Sequence, residues 1–236
     1  MIQFYAPQIE ENGLLPESES GHCCRVLRMK EGDKIYVTDG KGRRFLCEII
    51  DANPKRTSVR ILQIIDISKD RDYTLTLAVA PTKNSDRIEW MVEKAVEIGV
   101  DKIVLLRCNR SERKFQRADR LKRIMVSAMN QSLDVYLPEL EEIVDFDAFI
   151  SSCNEETQKF FGYCSSEYPR IDFVKVLKQG GEVVVMIGPE GDFTPDEVKA
   201  ATEKNFIPVT LGNKRLRTET AGVYCACAVN VINQLS

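Results

Sequence analysis

The sequence has one histidine, His22, and one tryptophan, Trp90. Its eight cysteines, at positions 23, 24, 47, 108, 153, 164, 225 and 227, include no C-x-x-C pair. A structural zinc usually draws on two closely spaced ligand pairs. Cys23 and Cys24 point their side chains in different directions on either a helix or a strand, and so do Cys225 and Cys227 on the helix expected there. No metal is expected. The purely apolar runs, such as Val183 to Ile187, are far shorter than the roughly 18 residues that cross a bilayer, so no membrane partner is expected. Met1-Ile2-Gln3-Phe4-Tyr5 has neither a basic region nor an apolar run, unlike a secretory signal. With nothing pointing to export, reduced thiols and a cytoplasmic location are the expectation. Neither G-x-G-x-x-G nor G-x-x-x-x-G-K-[ST] occurs, which excludes the Rossmann dinucleotide and P-loop readings.

The chain has 236 residues, of which 43 % are hydrophobic and 29 % charged. That is ordinary globular composition, enough for one large domain or two modest ones. The net charge of −3 argues against indiscriminate nucleic-acid binding, but the charge is unevenly spread. Residues 22–60 hold ten Lys/Arg against five Asp/Glu, and residues 102–123 hold nine against two. Residues 134–158 hold eight acids and no base. Two basic blocks beside an acidic one fit a phosphate-binding footprint. They fit a solvated surface balanced by the acidic block equally well.

The pattern changes near residue 70, which divides the chain into 1–70 and 71–236. Strand candidates in the first part are Lys34 to Thr38, Phe45 to Ile50 and Ser58 to Ile67. Asp39-Gly40-Lys41-Gly42 supplies a turn, Asn53-Pro54 a break, and Ser20 to Met29 a short helix. This part reads as a small β-barrel-like module. Beyond it, strands alternate with helices. The strands are Tyr73 to Ala80, Lys102 to Arg107, Lys159 to Cys164, Glu182 to Ile187 and Phe206 to Leu211. The helices are Lys83 to Ile98, Ala118 to Ser132, Phe173 to Lys178, Thr194 to Lys204 and Thr218 to Leu235. Gly99 ends the first of these helices, and Thr194-Pro195-Asp196-Glu197 forms a capping box. The alternation predicts an α/β fold, a parallel sheet with helices on both faces.

In such sheets ligands bind beyond the carboxyl ends of the strands. Two loops lie there: Gly188 to Phe193, after the strand Val183 to Ile187, and Leu211 to Ala221, before the final helix. Each runs into a helix N-terminus, whose free N–H groups face whatever binds. Glycines at 188, 191 and 212 would admit a flat ligand close to the backbone, although ordinary turns use glycine too. On the helix Lys83 to Ile98, the residues Lys83, Arg87 and Lys94 share one arc, while Ile88, Met91, Val92, Ala95 and Val96 share another. One face is basic and one faces the core.

These segments together resemble the RsmE family of ribosomal RNA methyltransferases, within the SPOUT superfamily. His22-Cys23-Cys24-Arg25-Val26-Leu27-Arg28 followed by Gly32-Asp33 resembles the family's H-x-x-x-V-L-R-x-x-x-G-D. Lys83, Arg87, Glu89, Lys94, Glu97 and Gly99 resemble its K-x-x-x-R-x-E-x-x-x-x-K-x-x-E-x-G helix. Ile187-Gly188-Pro189-Glu190-Gly191 is similar to its I-G-P-E-G loop, and Leu211-Gly212 with Leu216 to Ala221 to its L-G-x-R-I-L-R-x-E-T-A segment. Asp192 departs from the pattern, standing where a second glycine is common. So do Lys214 and Arg215, where Arg and Ile are usual.

The resemblance implies a PUA-like β-barrel that helps hold RNA over residues 1–70, and a SPOUT methyltransferase domain with a deep trefoil knot over 71–236. It implies S-adenosylmethionine as methyl donor and a homodimer. The reaction implied is methylation at N3 of the decoding-centre uridine of small-subunit (16S) rRNA, within an assembled or assembling subunit. Carried over by position, the donor would contact Gln131, Ile187, Gly188, Pro189, Glu190, Gly191, Leu211, Gly212 and Leu216. Arg217 and Glu190 would be catalytic. RNA would meet His22, Arg25, Arg28, Lys83, Arg87, Lys94 and Arg110. A sulfonium brings its own activation, so the protein mainly positions the partners and excludes water. Uridine N3 must still lose a proton. Arg217 is suited to stabilise the resulting anion, and Glu190 and Glu219 are the candidate bases. Glu219 could instead anchor the N-terminus of the last helix. Two alternatives stand beside this reading: a SPOUT enzyme acting on another RNA such as tRNA, and a non-catalytic rRNA-binding protein.

Overall fold

The computed structural model describes residues 2–69, 71–112, 118–165 and 168–235. The chain forms two compact units, residues 1–70 with 126–137, and residues 71–125 with 138–236.

The first unit is built on four strands, β1 (Gln3–Tyr5), β2 (Lys34–Thr38), β3 (Arg43–Asp51) and β4 (Ser58–Asp66), in that spatial order. β1 runs parallel to β2, and the other pairs are antiparallel. Alternation places Phe45, Cys47 and Ile49 of β3 in the core beside Ile35, Val37 and Phe4. The β2–β3 turn needs glycine. Gly42 has φ +104°, and a Cβ there would sit 2.5 Å from the Tyr136 hydroxyl. Residues 126–137 join this unit through hydrogen bonds: Gln3 donates to the Asp134 carbonyl (2.7 Å), and Tyr136 to the Ile67 carbonyl (2.6 Å). The helix expected over Ser20 to Met29 is two shorter pieces. α1 (Ile9–Asn12) precedes α2 (Glu17–Gly21), which passes into a π-helical turn at His22–Val26.

Among the described residues the second unit carries seven strands, all paired in parallel: β5 (Tyr73–Val79), β6 (Lys102–Arg107), β7 (Glu139–Asp145), β8 (Gln158–Gly162), β9 (Ile171–Asp172), β10 (Gly181–Ile187) and β11 (Ile207–Thr210). Their order is β7-β6-β5-β10-β8-β11-β9. β10 is central and buried from Val183 to Ile187, as an apolar run covered on both faces must be. The helices are α3 (Ser85–Ile98), α4 (Ala118–Ser132, whose C-terminal end belongs to the first unit), α5 (Phe146–Ser152), α6 (Phe173–Val176), α7 (Pro195–Glu203) and α8 (Thr218–Gln234). α3 starts at the Asn84 cap and ends at Gly99, φ +105°. α7 starts with the capping box between Thr194 and Glu197.

β7 and α5 fall inside the acidic block and were not expected. β7 is an edge strand, which tolerates charge, and its acids pair with the second basic block. Lys102 reaches Glu141 at 2.6 Å, Arg107 reaches Asp145 at 2.5 Å and Lys122 reaches Glu142 at 3.6 Å. Part of the uneven charge is therefore neutralised within the fold. The cysteines are free thiols. Burial pushes Cys23 and Cys47 up to about 12, so both stay protonated at neutral pH. Among the described residues no group of three or more His, Cys, Asp or Glu is placed to hold a metal, and no helix is long and apolar enough to cross a membrane.

Candidate functional site

At the carboxyl ends of β8, β10 and β11 lies a cavity of about 910 Å³, within the size range of small-molecule sites. Both loops singled out in the sequence line it. β10 delivers the first. Gly188 follows Ile187, and a Cβ on Gly188 would lie 3.1 Å from the ring of Phe193, which is buried. The loop closes through Asp192 N–H to the Pro189 carbonyl (2.9 Å), with Asp192 in the left-handed region at φ 63°. The Asp192 carboxylate accepts from Cys164 N–H (3.0 Å) and from Phe193 N–H (2.9 Å). Both oxygens thus serve to hold backbone. Arg110 fastens the outer side, donating to the Gly191 carbonyl at 2.8 Å.

β11 delivers the second loop. Gly212 has φ +100° with open space where a side chain would be. The Thr210 hydroxyl donates to the Gly212 carbonyl at 2.9 Å. The loop enters α8 at Arg217, whose backbone is extended (φ −74°, ψ 157°) and whose side chain gives no cap. Thr218 then donates a buried hydrogen bond to the Gly188 carbonyl (3.2 Å), and Arg215 approaches the Glu190 carbonyl at 3.5 Å. The two loops are tied to each other as well as to their strands.

Five cationic side chains (Arg87, Arg170, Lys214, Arg215 and Arg217) and three carboxylates (Glu190, Asp192 and Glu219) face this cavity. Glu219 is 7 % exposed, and its Oε1 lies 3.7 Å from Nε of Arg87. Glu190 is exposed and accepts from Lys83 N–H at 3.1 Å. Arg217 is exposed; its carbonyl accepts from Ala221 N–H at 2.8 Å, while its side chain caps nothing and makes no hydrogen bond or ion pair among the described residues. The Cys164 thiol is held above its ordinary value by burial and by Asp192, against the pull of Arg215 and Arg170.

Ile187, Gly188, Pro189, Glu190, Leu211, Gly212, Leu216, Arg217 and Arg87 are thus brought into one lining. Other expected site residues lie elsewhere. Gln131 is exposed in the first unit, outside the lining. Gly191 backs onto the Arg110 side chain, 3.4 Å from where its Cβ would be. Lys94 does not stand as a free cation on a basic face, being held by Glu93 (2.7 Å) and Glu97 (2.9 Å). Lys83 pairs with Glu112 at 3.2 Å. His22, Arg25 and Arg28 are exposed at or just after the π-helical turn of the first unit. Sequence reasoning missed Gly162, Tyr163, Cys164 and Arg170, which complete the lining from the β8 side. A single glycine at a strand end was the signal available.

The profile of the RNA methyltransferase domain family matches residues 69–230, and that of the RNA methyltransferase PUA domain matches residues 15–62. A probable rRNA-methyltransferase from Porphyromonas gingivalis is 38 % identical in sequence, with a TM-score of 0.93 and 99 % of each chain covered. The chain belongs to the RsmE family of RNA methyltransferases. Its relatives include the ribosomal RNA small subunit methyltransferase E of Bacillus subtilis, 26 % identical over 99 % of this chain and 96 % of that protein. The structure of the Neisseria gonorrhoeae methyltransferase E, bound to S-adenosyl methionine, is 27 % identical with a TM-score of 0.87 over 98 % of each chain. In this RsmE family member the two loops that resemble the family's motifs line the cavity.

Proposed function

We propose that this protein methylates N3 of the decoding-centre uridine in 16S rRNA, using S-adenosylmethionine and acting as a homodimer on the small ribosomal subunit in the cytoplasm. The observation that carries the reading is the cavity formed by the G-P-E-G and L-R-T-E-T-A loops at the carboxyl ends of β8, β10 and β11. Its volume accommodates a nucleoside joined to an amino acid and leaves room for a target base. Its glycines let a flat ring system approach the backbone.

Bound there, S-adenosylmethionine supplies an electrophilic methyl group on sulfur. The chain's residues supply placement and electrostatics. Ile187, Gly188, Leu211, Gly212 and Leu216 form the walls for the donor, and the Thr218–Gly188 hydrogen bond keeps those walls in register. Arg217, whose exposed side chain lines the cavity, stabilises negative charge on the base as its N3 proton leaves. Glu190 holds the backbone at Lys83, where the chain enters α3. His22, Arg25 and Arg28 are available to rRNA phosphates in the first unit.

The test is incubation with methyl-labelled S-adenosylmethionine and, in parallel, naked rRNA, assembled small subunits and tRNA, followed by digestion and mass spectrometry of the nucleosides. N3-methyluridine from small-subunit rRNA is the expected product. Label in tRNA, or on a different atom, overturns the substrate assignment. Sedimentation of the purified protein tests the dimer.

A further inference from the structure

Resting on the function just proposed, we propose that Glu219 is the group that accepts the proton leaving uridine N3. Glu219 sits in the first turn of α8, is 7 % exposed and lines the cavity. Its Oε2 is buried and has no hydrogen-bond partner. Its Oε1 faces Nε of Arg87 at 3.7 Å, beyond hydrogen-bond range but close enough for charge compensation. A buried carboxylate oxygen without a donor costs free energy, so such an oxygen beside a cavity marks where a ligand's N–H comes to rest.

Two comparisons inside the same lining sharpen the assignment. The Asp192 oxygens both accept backbone N–H groups, and Glu190 is exposed and accepts from Lys83 N–H. Of the three carboxylates, Glu219 is the one with a buried oxygen that has no hydrogen-bond partner. Its place in the first turn of α8 suits a carboxylate through the helix dipole, but that interaction leaves Oε2 without a hydrogen-bond donor.

The step balances. The Glu219 carboxylate takes the N3 proton while the N3 electron pair forms a bond to the methyl carbon. The carbon–sulfur bond breaks and its electron pair stays on sulfur, leaving the thioether S-adenosylhomocysteine. Arg217 offsets the charge that builds on the uracil oxygens, and the carboxylic acid at 219 then returns its proton to water.

The experiment uses the full chain with Glu219→Gln, which preserves shape and removes basicity. Single-turnover methyl transfer is measured on small subunits isolated from cells lacking this protein. Donor affinity by calorimetry and thermal melting are measured alongside. The expected result is unchanged melting, donor affinity within about twofold of the wild type, and transfer slowed about 100-fold or more. That deficit narrows as pH is raised toward the ionisation of uridine N3, since the substrate then sheds its proton unaided. The cations of the lining are identical in the two proteins, so the difference isolates position 219.

Transfer within about threefold of wild type overturns the assignment. So does a loss of donor affinity as large as the loss of rate, because the carboxylate would then be binding the donor's ammonium group. Should the glutamine protein not fold, Glu219→Asp carries the test: a folded aspartate variant at full wild-type rate excludes a role that depends on reach. Nucleoside analysis of the wild-type product keeps the two proposals distinguishable. N3-methyluridine from wild type with an unimpaired Glu219→Gln variant sinks the base and leaves the function, while a different product from wild type sinks both.

Discussion

The Thr218 hydroxyl donates to the Gly188 carbonyl across 3.2 Å, in a buried position where the first turn of α8 meets the end of β10. Together with the longer, exposed contact from Arg215 to the Glu190 carbonyl (3.5 Å), this buried hydrogen bond couples the two loops that form the cavity. Thr218→Val keeps the volume and removes the donor, leaving the carbonyl unpaired at a cost of about 1–3 kcal/mol. The variant should melt a few degrees lower, as expected for a chain of this size. S-adenosylmethionine should bind about tenfold more weakly, equivalent to roughly 1.4 kcal/mol. Calorimetric titration checks the affinity, and wild-type binding would show that the loops hold their spacing without the bond.

Arg217 has the opposite character. It is exposed and lines the cavity, and its side chain makes no capping bond to α8. Arg217→Ala should therefore leave melting unchanged, as surface changes away from packing usually do within about 0.5 kcal/mol. Donor affinity should stay within about threefold, while turnover falls roughly 100- to 1,000-fold, the usual effect of removing a group that stabilises developing charge. A proportional rise in KM with kcat intact would instead make Arg217 a binding contact for RNA.

Much of the second unit was legible because its signals are local. The capping box at Thr194, the αL glycine after α3 and the apolar run of β10 each act within a few residues. The loops of the cavity were legible for the same reason. The edge strand β7 was hidden because one side of an edge strand needs no apolar cover, and its acids read only as charge. The return of residues 126–137 to the first unit was hidden as well. Its hydrogen bonds, such as Arg44 to the Leu133 carbonyl at 2.5 Å, join positions far apart in the chain. The same holds for Arg170, whose place beside the Cys164 carbonyl (2.8 Å) depends on the β8 exit and on no motif. Lys94 misled for a simpler reason. A helical arc counts the lysine but not the glutamates at 93 and 97 that hold it.

Asp192 stands where the resemblance led to a second glycine being expected, and the structure shows what the aspartate does there. Its backbone takes φ 63°, tolerable for aspartate, while its carboxylate draws Cys164 N–H to the loop. Asp192→Ala loses both carboxylate hydrogen bonds and keeps the backbone strain, so it should destabilise by about 1–3 kcal/mol. Asp192→Gly loses the same bonds but relaxes the backbone and should recover roughly 1 kcal/mol of that loss. Denaturant unfolding of the two variants orders them. Equal stabilities would mean that the carboxylate contacts alone set the loop.

The Glu19 carboxyl offers a test in the first unit. Burial raises it above the ordinary carboxylate value, outweighing the Tyr5 N–H, His22 and Asn130, which lower it. A carboxyl raised on folding contributes fully to stability below its unfolded value, and that contribution is lost as pH climbs through the folded value. Wild-type protein should thus lose stability relative to Glu19→Gln from acidic pH up through the raised Glu19 value, with a constant gap above it. The neighbour adds to the effect. Asn130 donates to Glu19 Oε2 at 3.2 Å while its own Oδ1 is buried without a partner. A glutamine amide at 19 can donate to that oxygen, a hydrogen bond worth about 1 kcal/mol. Thermal melts of both proteins across the acidic range measure the gap directly. A gap that widens as pH falls would show that the ionised carboxylate favours the folded state, contrary to the burial argument.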